Sequence, residues 1–458
     1  MPTLCMKANQ AGAKRLGLAR AASIALTILA LSGCATLKKL PEVTKLNFGL
    51  GARPDEVTAS EPRELTHAGD AAEVRSAIID DLVARKSILP GSGPFAEIAQ
   101  SVLKASTGAA VAELRVARLR AEAKSKNWLP SIGPSVNLSS LGAMAASIML
   151  EQVIFDNGQR KAERAFAAAD VEIAAVTLST DYNDRVHDGL AYYIKAERAR
   201  EQARLADRAV ARMTEYERIM GERVEGGLSD RSEQRVITQK LSEMKAAAAS
   251  DREVAALAMA ELNAISAQSM DHLTGLQSLP PGRDGPEALA VLRARGEGSR
   301  TVAEAKMERA AHLPGLKASA SLGEDGFLGG LRLGADRLLG LGTGSTMAAL
   351  KATDDVVVAR AAEAREDARR RIVALESQHS ALSKREVQGA GVVVQTEASL
   401  EMFTEQYQVG RRPLMELVGM FETFSRMERD QAALKYDMAL LRLAIARERG
   451  VLVDGARM

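Results

Sequence analysis

Pro130 and Pro314 stand 184 residues apart, each after a leucine and ahead of a polar, alternating run: NWLPSIGPSVNLSS at 127–140 and AHLPGLKASASLG at 311–323. The same spacing of 184 separates Gly158 in IFDNGQRKA from Gly342 in LLGLGTGSTM. Further on, Gly227 in VEGGLSDRSEQ lies six residues before Glu233, and Gly410 in QVGRRPLMEL lies six before Glu416, an offset of 183. Landmarks in one order at one spacing make the chain a tandem duplication, and self-similarity constrains topology more than any local propensity. What one half folds into, the other repeats.

Each half carries the same order of elements. After Gly158 there is no proline as far as Val224, and small or apolar residues recur at Ala162, Phe166, Ala169, Ile173 and Val176, then at Ala199, Ala203, Ala206, Val210 and Met213. Steps of four and three are heptad spacing, which packs helices side by side. The second copy, from about Thr346 to Val409, repeats it with Ala361, Ala364, Ala368, Ile372, Leu375 and Leu382; Gly389 and Gly391 interrupt it and predict a local bend. At 1.5 Å per residue each helix is roughly 100 Å long. Each ends at a glycine turn, Gly226-Gly227 or Gly410, with Ser229 and Pro413 suited to open a returning helix. The returns, about 229–264 and 413–449, span only half the outgoing length. Helical segments at Phe95 to Lys126 and Pro286 to Ala311 supply the other halves, so two short helices stack against one long one.

Between the Leu-Pro landmarks and the long helices lie the strand candidates, Ser135–Ser140 with Ala145–Ile154 and Leu316–Leu322 with Gly330–Leu339. They are short against the roughly 9–11 residues of a membrane-crossing strand, and Trp128 is the single tryptophan. Four strands cannot close a barrel. Open sheet edges are not viable in a membrane, so several subunits would have to complete the circle. The fold class read here is mainly α with a small β part: duplicated long helical hairpins plus four short strands.

The amino terminus carries an address. Lys7, Lys14, Arg15 and Arg20 precede an apolar run from Ala21 to Ser32, with no acid before Glu42. About a dozen residues are too few to span a bilayer, and the charge pattern is that of a secretory signal. Leu31-Ser32-Gly33-Cys34 resembles the lipobox of bacterial lipoproteins, which implies cleavage before Cys34 and a lipidated Cys34 as the mature N-terminus. Ala35 in place of an aspartate implies, by the rule of that group, the outer membrane. Residues 35–90, with Pro41, Pro54, Pro62 and Pro90, read as an extended segment.

Composition excludes several classes. Removing the signal leaves 57 basic against 59 acidic residues, so nothing favours nucleic acid as a partner. Cys5 falls in the signal, and the mature chain has no thiol free for a disulfide or a metal. His67, His187, His272, His312 and His379 are scattered without the spacing of a metal site; His379, between Leu375 and Leu382, reads as a packed core histidine. Gly-Leu-Gly-Thr-Gly-Ser at 340–345 lacks the lysine of a phosphate-binding loop and reads as a strand-to-helix joint. No enzyme and no cofactor beyond the lipid on Cys34 is expected.

Strand pair, IFDNG-like turn, long helix, a tip close to Val-Gly with an acid six residues on, and a short return, done twice from about Phe95 to Gly450, resemble the TolC family of outer-membrane efflux and secretion channels, in its lipoprotein branch. The resemblance implies a homotrimer whose twelve strands close one outer-membrane barrel above a periplasmic helical tunnel. It implies a passive conduit, partnered by a periplasmic adaptor and an inner-membrane pump and embedded in outer-membrane lipid. The adaptor-docking tips would be Gly227, Leu228 and Glu233 in the first copy and Val409, Gly410 and Glu416 in the second. Arg411 or Arg412 paired with Glu225 or Asp230 of a neighbouring hairpin is the candidate gate. The chain then divides into a signal at 1–33, an extended segment at 34–93, repeats at 94–264 and 286–450 joined by a linker at 265–285, and a tail at 451–458. The alternative is a lipid-tethered periplasmic coiled-coil or adaptor protein without a channel.

Overall fold

The computed structural model describes residues 76–138, 144–280, 285–323, 326–337 and 340–457. Cys34, the signal and most of the segment expected to be extended lie outside them. The described chain opens with three helices, α1 (Ala77–Ala84), α2 (Pro94–Lys104) and α3 (Ala109–Ser125), followed by strands β1 (Ser131–Leu138) and β2 (Met144–Phe155). The hairpin α4 (Gln159–Glu225) and α5 (Arg231–Ile265) completes the first half. The second half runs α6 (Leu289–Ala311), β3 (Gly315–Gly323), β4 (Gly326–Gly334), α7 (Thr343–Gln408) and α8 (Leu414–Glu448), and ends in a 3-10 turn at Gly455–Arg457.

The duplication is visible element by element, with three corrections. Helix α1 lies within the segment expected to be extended: Ser76 caps it by accepting from the Ile79 amide at 3.3 Å, and Ile78 and Leu82 bury against α4. The helix expected from Phe95 to Lys126 is two, because Gly108 takes a left-handed conformation (φ 71°) and starts α3 afresh. Three strands are also longer than expected, β1 at 8 residues from Ser131, β2 at 12 and β3 at 9, whereas β4 lies at Gly326–Gly334, four residues ahead of the expected Gly330–Leu339 and one residue shorter, at 9. The β1 extension takes in Pro134, which an edge strand of the sheet tolerates.

Helix α4 is flanked by α3 and α6 along its first half and by α5 and α8 along its second. Lys124–Glu163 at 2.9 Å and Arg300–Asp170 at 3.3 Å mark the first pair of contacts, and Arg252–Asp207 and Arg198–Asp437 the second. Helix α7 packs against α6 and then α8. It continues unbroken through Gly389 and Gly391, where Gln431 of α8 donates to the Glu386 carbonyl at 2.7 Å. Two large apolar cores result, beside smaller clusters around Leu82, Leu114 and Val176 and around Val291 and Ala368. One, at mid-length, gathers Phe95, Ile98 and Val102 of α2, Val186, Leu190 and Ile194 of α4, Met270, and Val451–Val453. Gly189 permits this approach, since a β-carbon there would lie 2.8 Å from the Val102 methyl. The other, towards the turns, joins Met213, Tyr216 and Met220 of α4, Ile237 and Leu241 of α5, Leu400 of α7, and Leu414, Leu417 and Phe421 of α8.

Candidate functional site

The four strands form one antiparallel sheet in the order β1-β2-β3-β4, so β2 and β3 join the two repeats and β1 and β4 are its edges. The register Ser131↔Glu151↔Ser319↔Gly330 sorts side chains by face, because successive residues alternate. One face carries Ile132 and Pro134, Ile148, Leu150, Gln152 and Phe155, Leu316, Ala318, Ala320 and Leu322, and Phe327, Gly329, Leu331 and Leu333, apolar but for Gln152. The other carries Ser131, Gly133 and Ser135, Ser147, Met149 and Glu151, Lys317, Ser319 and Ser321, and Leu328, Gly330 and Arg332. The first face is openly exposed: Ile132 is 74% accessible, Leu331 70% and Leu333 76%. Lys317 stands opposite Arg332 and is partnered by Asp336 at 2.7 Å, which offsets the like-charge contact. Trp128, at the foot of β1, is exposed.

The helical wall has two unlike sides. Elements α1, α2, the loop after α5 and the C-terminal Val451–Val453 stack as a belt on one side of α4, over Val176, Asn183, Val186 and Leu190. Helical periodicity places Glu163, Asp170, Asp181 and Asp188 on the opposite, uncovered side. Its two long helices are also unlike. Of the 67 residues of α4, 24 are buried; of the 66 of α7, only Ala368 and Leu400 are. Val387, Val392 and Val394 of α7 are exposed, as are Val254 and Leu257 on the far edge of α5 and Val116 and Leu119 on that of α3. The predicted heptad residues of α7 are therefore only partly covered, because this helix is the open edge of the wall. His379 departs from its reading for the same reason: it is partly exposed and accepts from Arg442 Nε at 2.9 Å.

Both tips are closed by the same turn. The Leu228 amide donates to the Arg223 carbonyl and the Gly227 amide to Val224; Arg411 donates to Gln406 and Gly410 to Tyr407. This double bond pattern needs a left-handed residue, supplied by Gly227 (φ 72°) and Gly410 (φ 73°). Asp230 rather than Ser229 caps α5, accepting from the Ser232 amide at 3.2 Å, while Ser229 accepts from Arg223. Leu228 and Val409 are exposed, at 71% and 68%. Arg412 is held within its own hairpin, over the Phe403 ring at 4.0 Å and bonded to Gln406 and Glu416, so Glu416 is engaged as well. Arg411 and Glu225 are exposed, without a side-chain partner among the described residues. Behind the tips, Tyr216 stacks edge-on to Phe421 at 5.5 Å, and burial raises its hydroxyl above the usual phenol range against the lowering effect of Arg212. Sequence reasoning places Met213 and Phe421 on apolar stripes of separate helices but does not join them into this core, whose aromatic residues are spread over three helices.

Among the described residues no group of acids, histidines and cysteines could hold a metal, and no helix is long and apolar enough to cross a membrane. No protein-family model matches the chain, nor does any curated protein. Solved structures do match. A membrane protein from Pseudomonas aeruginosa superposes with a TM-score of 0.69 at 13% identity, over 85% of this chain and 97% of that one. The outer membrane protein VceC of Vibrio cholerae gives 0.63 at 14%, over 82% and 95%. The outer membrane channel CmeC of Campylobacter jejuni gives 0.64 at 11%, over 83% and 87%. The amphipathic sheet set above two stacked helical hairpins is the fold of the TolC-type outer-membrane channels.

Proposed function

We propose that the chain is the outer-membrane channel subunit of an export apparatus, a passive conduit formed by three copies. The observation that carries this reading is that sheet and helical wall are both left open at their edges. In lipid an unpaired strand edge is untenable, and four strands are too few to close. Three copies bring twelve strands, with the apolar face towards lipid and the serine- and glycine-rich face towards water. Below them, α7 of one copy meets α3 and α5 of the next as α4 meets α6 and α8 within one chain. The repeat supplies the template: Leu382 and Val254 occupy the places of Arg198 and Asp437, which join α4 to α8 at 2.6 Å. The belt covers one side of the wall, so the passage runs along the other. Docking of a periplasmic adaptor at Gly227, Leu228, Val409 and Gly410, with an inner-membrane pump beyond it, fits two exposed and identically built tips. Glu233 and Glu416 lie one turn behind them, and Arg411 is the tip cation best placed to reach Glu225 of a neighbour.

The test pairs Leu382→Cys with Val254→Cys in the full chain. A short bismaleimide is expected to yield dimers and trimers only when both cysteines are present, and the purified protein is expected to conduct ions in planar bilayers. Absence of the ladder would reject the ring, and absence of conductance the channel.

A further inference from the structure

A cavity of about 410 Å³ opens where the sheet meets the helices, between the first turn of α4 and the last turns of α6. Its rim carries Lys161, Lys306 and Arg309; Asn157, Gly158, Ala162, Ala165, Ala310 and Leu313 complete the lining. No acidic side chain lines it, and none of the three cations has an ion-pair partner among the described residues. Other cations on the neighbouring helices have acidic partners, as in Lys124–Glu163, Arg300–Asp170 and Arg295–Glu287. Helical periodicity sends the nearby acids Glu163, Asp170, Glu304 and Glu308 to the other side of the wall, and Asp156 is engaged by the Gly158 and Arg160 amides at 3.0 and 2.9 Å. Three like charges left together, with their neutralising groups directed away, form a site for an anion.

Position in the fold names the anion. Lys161 and Ala165 lie on the same side of α4 as Glu172, Val176 and Asn183, the side covered by the belt and therefore outside the passage. Lys161 follows Phe155, the last strand residue, by six positions, and Arg309 precedes Gly315 by six. At about 1.5 Å per helical residue this is within roughly 10 Å of the apolar face, the depth of the headgroup layer beside a hydrocarbon core about 30 Å thick. Trp128, exposed at the foot of β1, lies at the same level, as an interfacial tryptophan does. We propose that Lys161, Lys306 and Arg309 bind the phosphate of an anionic phospholipid from the leaflet facing the periplasm, with its chains lying against Phe155 and Leu316. Arg309 supplies a planar two-pronged donor and the lysines point charges. The site occurs once per copy, because the equivalent positions in the duplicate are Ser345, Glu122 and Ser125.

This inference rests on the channel reading, and its test separates the two. The full chain, purified in detergent, is examined by native mass spectrometry after addition of phosphatidylglycerol, phosphatidylcholine or inorganic phosphate. The wild type is expected to retain phosphatidylglycerol at least tenfold better than phosphatidylcholine. Lys161→Gln, Lys306→Gln and Arg309→Gln combined are expected to abolish that preference while trimers and conductance persist. A control removing Arg235, Arg369 and Lys384, distant exposed cations, is expected to keep it. Equal loss in the control, or no preference in the wild type, would overturn the site, and phosphate displacing the lipid would make it a free-anion site instead. Loss of conductance by the wild type itself would strike the channel reading alone.

Discussion

At the scale of single residues, His379 shows how position in a wall overrides a sequence pattern. Its place between Leu375 and Leu382 suggests burial, yet α7 is an edge helix and the imidazole serves as a hydrogen-bond acceptor for Arg442. Arg442 in turn donates to the Leu279 carbonyl at 2.9 Å, so one side chain ties α7, α8 and the linker together. Burial first, and the Arg442 cation second, hold the imidazole below its ordinary range. A folded-state value below the unfolded one means that the unfolded chain takes up the proton first as pH falls, so this contribution is present at neutral pH and is lost on acidification below about 6.5. Thermal unfolding of the wild type is therefore expected to fall more steeply between pH 7 and 5 than that of His379→Gln, whose amide still accepts from Arg442. Parallel pH profiles would contradict it.

At the scale of elements, the helices and their turns were legible because heptads, glycines and a proline-free run each have a local cause. The break at Gly108, the cap at Asp230 and the extra strand residues were not, since each depends on what the segment packs against. The tip core belongs to this scale. Met213, Tyr216, Ile237, Leu400, Leu417 and Phe421 come from four helices and bind the two hairpins of one copy into a single unit. Phe421→Ala removes a buried ring and its edge-on contact with Tyr216, with an expected cost of about 3 kcal/mol. It should appear as faster amide exchange in α5 and α8 near the turns, with protection at mid-length unchanged. Uniform loss along the helices would show that the tips are not a separate packing unit.

For the whole molecule, the proposed channel would attach to the membrane in two independent ways, through the exposed apolar sheet face and through the lipid expected on Cys34. The apolar sheet face is exposed over four strands, and at its base lies the Lys161, Lys306 and Arg309 cavity. A lipid on Cys34 would add a second tether whose strength scales with its buried chain length. Cys34→Ser is expected to abolish palmitate incorporation while trimers still form. Persistent labelling would reject the lipobox, and loss of trimers would make the lipid a requirement of assembly.

The duplication, the hairpins, their glycine tips and the place of a strand pair in each half follow from sequence alone, because each rests on local spacing or on self-similarity between the two halves. Which long helix is interior and which is an edge could not be read there: α4 and α7 carry the same pattern, and only packing decides that 24 residues of one are buried and two of the other. The sheet's amphipathic faces likewise needed the register, since a shift by one residue exchanges them. The cation cavity needed the tertiary structure most of all. Lys161 and Arg309 are 148 positions apart, and they share one rim because α6 packs along the first half of α4 and β2 pairs with β3, with the Asn157 side chain bonded to the Pro314 carbonyl where the two meet.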